Sequence, residues 1–376
     1  PISSGETKGS NVDFSLENMF GYGDNTSFEF TNKTNFAISS QTLTISQSVE
    51  QLKFSVPMQH GFDGINPAAS KNTGTSISST NSMGFDMSST TASGSIAYKR
   101  AINAIANPDD YDINMLVTPG VIHKHHSVVS NHAIDKVEAR ADAFYVMDGS
   151  DIDDNVSTAV NNVVNIDSNY VATYYPWVQI QDATAGVKRY VPPSVVIAGV
   201  YNFNDTVGQP WFAPAGLNRG GIDSAVRAYK KLTQANRDDL YDSNSNPIAT
   251  FPGQGVTVFG QKTTQKKASA LDRVNVRRLL INLTTFVASS SRNLVCEQNT
   301  NTLRNQFINT IQPYMESVQA NQGINAFRVV MDDSNNTPET IDRNQLVGQI
   351  FIQPTRTAEF IVLDFVVQPT GAAFPE

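Results

Sequence analysis

The sequence has little charge and almost no cysteine. Asp, Glu, Lys and Arg make up 16% of its 376 residues, whereas about 25% is usual for a globular chain. Cys296 is the single cysteine, which excludes an internal disulfide framework. We therefore expect the chain to fold in a reducing compartment, with Cys296 as a buried structural thiol.

Long apolar runs and targeting signals are also missing. No apolar stretch approaches the roughly 20 residues that a membrane helix needs, and no signal peptide is visible, so we expect no membrane insertion. The formal net charge of −8 argues against a chain-wide surface for specific nucleic-acid binding. Because Pro1 opens the chain without a methionine, we expect a piece of a longer polypeptide.

Hydrophobic residues make up 40% of the sequence, which is enough to build the cores of two or three domains. Residues 1–95 are rich in Ser, Thr, Asn and Gly and predict a β-rich, partly flexible and incomplete outer or insertion domain. Residues 96–260 alternate helix and strand patterns, which predicts an α/β layered middle domain with parallel strands. Residues 261–376 predict an α+β C-terminal domain. The expected fold class is thus multidomain, α/β and α+β.

Apolar periodicity predicts individual elements within these domains. For the middle domain, strands are predicted over 113–117, 143–147 and 170–180, and the first of them should end at Pro119 and Gly120. Helices are predicted from residue 93 or 95 to 107, over 125–142 and over 192–207. A further helix is predicted to begin with Asp151, Asp153 and Asp154. The C-terminal domain is predicted to hold helices over 279–287 and 303–318, a strand over 327–331, and strands over 346–352 and 360–367 that form an antiparallel hairpin.

The histidines are concentrated in one short segment, which raises a competing enzyme hypothesis. This segment contains His123, His125, His126 and His132. A helix would place His125 and His132 on one face with Asp135 a turn further, as zinc or nickel sites require. The competing function is a metal-dependent hydrolase that uses His123, His125, His132 and Asp135. A polar helix start explains the same residues, and no HExxH signature is present, so we expect no metal.

Two further patterns are weak signals of ligand binding. The acidic group Asp148, Asp151, Asp153 and Asp154 resembles part of a calcium loop, but Gly149 comes too early and the distal Glu is missing. The segment PAGLNRGG, with Gly216, Gly220 and Gly221, lacks the Gly-Lys-Ser/Thr of a phosphate loop, and we expect a buried turn. We expect no cofactor and no catalytic residue.

A basic stretch, residues 262–278, carries six Lys or Arg against one Asp. Residues 96–260 have a net charge of −5, so the basic stretch of one copy could dock on an acidic patch of the next. Plain solvation of the stretch is the alternative.

Several of these segments resemble one family, the tail sheath proteins of contractile-tailed bacteriophages. The segment WFAPAGLNRGGI (residues 211–222) resembles an APAG-x-NRG segment of that family. The segments VFGQKTT (258–264) and DRVNVRRLL (272–280) follow it in the family's order, and NNTPETIDRNQLVGQIFIQPTRTAEFIVLDF (335–365) resembles the family's C-terminal block. HGFDG (60–64) is a weaker match, and most of residues 1–95 match poorly.

The resemblance implies a non-enzymatic virion protein, the sheath of a phage tail, assembled in the host cytoplasm. Such subunits polymerise around an inner tube and contract to drive it through the host envelope. The implied partners are other sheath subunits, the tail tube protein, the baseplate and the tail terminator. The family joins its subunits by exchanging terminal strands. Because N-terminal material is missing here, we expect this piece alone to be monomeric.

The residues expected at inter-subunit contacts are Lys266, Lys267, Arg273, Arg277, Arg278, Phe360, Val362 and Phe365. The first five supply polar contacts, and the last three belong to an edge strand that is open to pairing. Sheaths of related contractile machines, such as bacteriocin tails and type VI-like systems, are the alternative function. A receptor-binding or adhesive virion protein based on residues 1–95 is a third reading.

Overall fold

The computed structural model describes residues 76–183 and 186–359. The chain divides into two compact units, residues 1–73 and 74–376, and all described residues belong to the second unit. Most of the β-rich domain expected over residues 1–95, the strand expected over 360–367, and the contact candidates Phe360, Val362 and Phe365 therefore lie outside the described residues.

The described residues form helices and strands in mixed order. In chain order, the strands are β1 (Met115–Ile122), β2 (Phe144–Asp148), β3 (Val171–Tyr175), β4 (Val178–Asp182), β5 (Val187–Val191), β6 (Ala225–Ala228), β7 (Ser245–Phe251), β8 (Gly255–Val258), β9 (Ile324–Val330) and β10 (Gln349–Pro354). The α-helices are α1 (Ser93–Ala104), α2 (His123–Arg140), α3 (Val156–Val163), α4 (Pro193–Val207), α5 (Gln234–Asp242), α6 (Val274–Ser291), α7 (Asn301–Ala320) and α8 (Pro338–Asp342). None of these helices has the length and apolar character needed to cross a bilayer.

A five-stranded sheet with the order β1-β2-β3-β7-β8 forms the centre of the α/β domain. The pairs β1–β2, β2–β3 and β3–β7 are parallel, and β8 returns antiparallel to β7. Parallel strands require crossover connections, and helices supply them here. The predicted α/β layer is therefore observed.

Both faces of this sheet are buried, as the pleat of β2 demonstrates. Phe144 and Val146 face a core shared with α4, whereas Tyr145 and Met147 face a core shared with α1 and α2. All five residues of β2 are buried. A strand covered on both faces reads as a continuous apolar run, which is typical of parallel sheets.

Two smaller sheets flank this layer. β5, β4 and β6 form an antiparallel sheet in that order. β9 and β10 form an antiparallel pair, whose inner face packs with α6 and α7 around a third core that includes Leu279, Ile311 and Met315. This second arrangement is the predicted α+β unit.

Three predicted elements differ from the structure for local reasons. β1 continues through Pro119 and Gly120 instead of ending there. It is an edge strand with an irregular register, where a proline is tolerated, and Gly120 takes φ +85°. The strand predicted over 170–180 is interrupted at Pro176, so its halves β3 and β4 belong to different sheets. Asp154 and its acidic neighbours precede α3, whose N-cap is Asn155.

The C-terminal part contains further corrections. Helix α6 begins at Val274, five residues before the predicted start. β10 pairs with β9, whereas the predicted hairpin partner, residues 360–367, is not among the described residues. Cys296 is exposed and not a buried thiol, because it lies in the loop between α6 and α7 with φ +70°. Helix α5 and strands β5 to β8 were not predicted.

Asp148 generates a prediction about stability. Its buried carboxylate accepts hydrogen bonds from the backbone N–H and hydroxyl of Ser194 at 3.0 and 2.6 Å, and burial raises its pKa to about 7. An unfolded aspartate titrates at about 3.9, so between these values the folded chain holds a proton that the unfolded chain lacks. The contribution of Asp148 to stability is therefore greatest at low pH and falls as pH rises towards 7.

Asp148→Asn should remove this fall, because the amide does not ionise. The wild type should lose more stability than the variant between pH 4.5 and 8, by up to about 3 kcal/mol. Urea unfolding followed by the fluorescence of Trp177 and Trp211, which are both buried, measures the difference. Asp135→Asn, at an exposed position of α2, is the control. Parallel pH curves for wild type and D148N would contradict the prediction.

Candidate inter-subunit surfaces

The basic stretch runs from a loop into the first turns of α6. Lys266 and Lys267 lie in the loop and are exposed. The backbone N–H of Lys266 donates to Asp167 Oδ1 at 2.9 Å, which holds the loop against the segment that leads into β3. This contact uses only the backbone of Lys266, so both lysine side chains are accessible at the surface.

Arg277 and Arg278, in contrast, are used inside the chain. The Arg277 guanidinium lies 4.0 Å from the centroid of the Tyr170 ring; the residue is only 7% exposed, and burial lowers its pKa. Arg278 binds both carboxylate oxygens of Asp205, at 2.9 and 2.5 Å. Their expected role between subunits remains a prediction, but their charges are already engaged by the α/β domain.

Arg273 participates in a partly buried polar network around Glu359. The Arg273 Nε donates to Glu359 Oε1 at 2.7 Å, and an Arg273 Nη atom lies 3.0 Å from Asp272. The amide of Gln261 donates to the same Glu359 oxygen at 3.1 Å, and the Tyr241 hydroxyl donates to the other oxygen. These contacts fasten the segment after β10 to α5 and to the start of α6.

The electrostatics of this anchor follow from its burial and its donors. Burial alone would raise the pKa of Glu359, but hydrogen bonds from Arg273, Tyr241 and Gln261 hold it below its ordinary value. Burial and the neighbouring carboxylate raise the pKa of Tyr241. Sequence reasoning missed this site, because Tyr241 and Glu359 are 118 positions apart and no local pattern links them.

The β9–β10 sheet has open edges within the part of the chain that the structure describes. Each of its two strands pairs there only with the other. Its inner face carries Phe327, Val329 and Ile350 against the C-terminal core. On the outer face, Phe351 is 57% exposed. A two-stranded sheet with unpaired N–H and C=O groups can accept another strand.

The three histidines of the proposed metal site each contact a different residue. His123 Nδ1 lies 2.8 Å from Ser130 Oγ, His125 Nε2 lies 2.9 Å from Asp151 Oδ2, and His132 Nε2 lies 2.9 Å from Asn103 Oδ1. The described residues contain no group of three or more His, Cys, Asp or Glu side chains able to hold a metal ion. His123, His125 and His132 thus contact three different partner residues in the described part of the chain.

The PAGLNRGG segment is a turn, as expected, but it is only partly buried, because Leu217 and Asn218 at its tip are exposed. Gly216 takes φ +83°, and its N–H donates to Val258 O at 2.9 Å. At Gly220, a Cβ would lie 2.6 Å from Val258 O, so a larger residue is excluded. The glycines therefore allow this turn to pack directly against β8.

Family comparisons agree with this architecture along most of the chain. The family model described as phage tail sheath protein central domain matches residues 92–264, and the phage tail sheath C-terminal domain matches residues 266–368. Together the two matches cover both described domains and define the chain as a phage structural protein. It belongs to the phage tail sheath family.

Curated relatives support the same assignment. The tail sheath protein of Vibrio phage KVP40 is 38% identical over 228 residues, which cover 61% of this chain and 33% of the relative. The tail sheath protein of Enterobacteria phage T4 is 39% identical over 216 residues, covering 57% of this chain and 33% of the relative. The matched part of the chain thus spans about a third of the length of these relatives.

The fold is also that of a solved sheath structure. The PVC sheath complex of an extracellular contractile injection system, in its contracted state, matches with a TM-score of 0.60 and 23% identity. The match covers 70% of this chain and 74% of that chain. At this identity the likeness concerns the fold.

The Glu359 anchor can be tested by proteolysis at Arg356, which is exposed. Glu359→Gln keeps the size of the side chain but removes the charge that Arg273 binds. Because charge-assisted hydrogen bonds contribute about 1.5–3 kcal/mol, trypsin cleavage after Arg356 should accelerate about tenfold or more. Mass spectrometry of the released C-terminal peptide measures the rate.

Glu339→Gln is the matched control for this experiment. Its partner Arg343 is exposed and one helical turn away, and such surface pairs contribute little. The control should be cleaved at the wild-type rate. Equal cleavage rates for wild type and E359Q would show that the network does not hold this segment.

Proposed function

We propose that this chain is part of the structural subunit of a contractile phage tail sheath. In this function the subunits polymerise around the tail tube, and a change in their packing shortens the sheath and drives the tube through the host envelope. Membership of the sheath family carries the proposal. The function requires neither a cofactor nor bond cleavage.

The open β9–β10 sheet is the proposed joint between subunits. Because both strands have unpaired outer edges within the described residues, a strand from a neighbouring copy can extend the sheet. Phe360, Val362 and Phe365 belong to the apolar segment that the sequence analysis assigns to such pairing. That segment follows directly in sequence after Glu359, which itself contacts Tyr241 of α5 and Arg273 at the start of α6.

The low fraction of charged residues also supports a polymer whose subunits change their packing. A contractile sheath needs two arrangements of the same subunits that differ in free energy. With 16% charged residues, contacts rich in Ser, Thr and Asn can break and form again without exposing large apolar areas. Lys266 and Lys267 are the polar contact candidates that the fold leaves exposed.

The further partners follow from the same proposal. The tail tube protein, the baseplate and the tail terminator would meet the assembled sheath, which forms in the host cytoplasm and remains in the virion. The curated relatives are phage proteins, which favours a phage tail over the sheath of another contractile injection system. The present piece alone should be monomeric, which light scattering can test against its mass of 41.0 kDa.

The direct test is assembly of the full-length subunit with its tube protein. Negative-stain electron microscopy should show tubes with an outer sheath in two lengths, extended and contracted. Tube protein that remains bare beside monodisperse subunits would contradict the proposed function.

Phe351→Asp tests the β9–β10 joint within this assay. Because Phe351 is 57% exposed, the change should alter subunit stability by no more than about 0.5 kcal/mol. A charge at the strand-pairing surface should nevertheless lower the fraction of subunits in sheaths at least about tenfold. Sedimentation of assembled sheaths measures that fraction.

The matched control is Val295→Asp, since Val295 is 72% exposed in the loop between α6 and α7. This variant should assemble as the wild type does. If F351D assembles equally well, a strand added at the edge of β10, with side chains next to Phe351, is not the joint.

A further inference from the structure

The three-stranded sheet β5-β4-β6 has a basic and aromatic outer face. Ile180, Val191 and Ala225 point inward and pack against the α/β core. Gln179 pairs with Tyr190 on one side and Arg227 on the other, so these three side chains form a row on the opposite face. We call this outer face, with Lys188, Tyr190, Arg227 and Tyr229, the basic face.

Contacts within the basic face hold its side chains in place. The Arg227 Nη2 donates to the Tyr190 hydroxyl at 2.6 Å, and the ring centroids of Tyr190 and Tyr229 are 5.0 Å apart, edge to face. Tyr229 donates to Asp153 Oδ1 at 2.7 Å. Lys188 and Arg227 are exposed. An ordered pair of aromatic rings beside exposed cations is typical of a protein-binding surface.

Positive charge outweighs negative charge in the segments that build this sheet. Residues 178–191 and 222–231 contain five Lys or Arg and two Asp. Of the two acids, Asp182 is paired with Arg189 at 2.9 Å, and Asp223 is exposed outside the strands. Beside the face, Asp153 is an exposed carboxylate that accepts a hydrogen bond from Tyr229. The exposed cations Lys188 and Arg227 still outnumber it, so the basic face favours an acidic partner.

The basic face lies at the carboxyl end of the central parallel sheet. β4 begins just after β3 ends, and Trp177 between them donates to Ser150 O, beyond the end of β2, at 2.9 Å. β5 leads into α4, whose first turn binds Asp148, the last residue of β2.

An exposed acidic loop lies at the other end of the same sheet. Residues 107–112, with the sequence NPDDYD, precede β1 and are all exposed; we call them the acidic loop. Just beyond the loop, Asn114 O accepts a hydrogen bond from the N–H of Phe144, the first residue of β2, at 3.0 Å. This contact places the loop beside the amino ends of the strands.

A buried arginine gives the acidic loop a defined shape. The Arg140 side chain is 2% exposed, and its guanidinium donates to Tyr111 O at 2.8 Å and also to Ile105 O. Tyr111 itself is 51% exposed between Asp110 and Asp112. The loop thus presents an aromatic ring and carboxylates from a preorganised backbone, which lowers the entropic cost of docking.

We propose that the acidic loop of one copy docks on the basic face of the next copy. The proposal rests on the proposed sheath function and names one contact between its subunits. Because the two surfaces differ and lie at opposite ends of one sheet, the contact is head-to-tail. Such contacts build rings or open helical polymers. Asp110 and Asp112 meet Lys188 and Arg227, while Tyr111 packs against the tyrosine pair.

Charge reversal and charge exchange test this pairing in the full-length subunit assembled with its tube protein. The acidic-loop variant D110K/D112K and the basic-face variant K188E/R227E should each lower the sheath yield at least about tenfold, since like charges facing each other cost several kcal/mol. The combined variant restores opposite charges and should recover assembly to within about threefold of wild type. Sedimentation and electron microscopy measure the yield.

Matched exposed charges outside both surfaces provide the control. D135K and R100E change charge on α2 and α1 by the same amount per residue and should assemble normally. All variants should keep the wild-type thermal midpoint, because the substituted side chains are exposed. Assembly of either reversal variant at the control level, or failure of the combined variant to recover, would overturn the pairing while the sheath function stands. Absence of wild-type sheaths would overturn both.

A cross-link provides a second measurement that does not depend on yield. In a Cys296→Ser background, D112C and K188C together should form disulfides between copies in assembled sheaths, seen as a ladder of linked subunits without reductant. The pair D135C and K188C is the control and should stay monomeric on the gel. The absence of a ladder with D112C and K188C in wild-type-like sheaths would overturn the proposal.

Discussion

Burial of the central sheet on both faces is the constraint on which the rest of the described structure depends. The alternating side chains of β2 enter two different cores, one with α4 and one with α1 and α2. Crossover helices must then connect the strands, so the amino and carboxyl ends of the sheet become two distinct surfaces. The acidic loop belongs to the first end, and the basic face belongs to the second.

Helix α6 connects this layer to the C-terminal unit. At its start, Arg277 and Arg278 contact Tyr170 and Asp205 of the α/β domain, while Leu279 and Leu283 pack into the C-terminal core. Residues that look like a free basic strip in the sequence thus hold two domains together.

The sequence predicted regular elements well where one apolar stripe decides the structure. In α2, predicted over 125–142, Val129, Ala133, Ile134 and Val137 lie on one helical face, and all four are buried. Helices α4 and α7 were likewise predicted close to their observed bounds. The sequence pattern failed where contacts with other elements set the bounds of a strand. β1 continues past Pro119 because it is an edge strand. The apolar run over 170–180 is divided at Pro176 between strands of two different sheets.

Sequence alone determined the family, the α/β and α+β classes and the main helices, because these follow from ordered motifs and local periodicity. Tertiary structure decided which charges are available to a partner. Arg273, Arg277 and Arg278 find Glu359, Tyr170 and Asp205 far away in the chain, whereas Lys266 and Lys267 remain exposed. The physical reason is that the availability of a charge depends on desolvation and on partners brought close by folding, and neither quantity is encoded in local spacing.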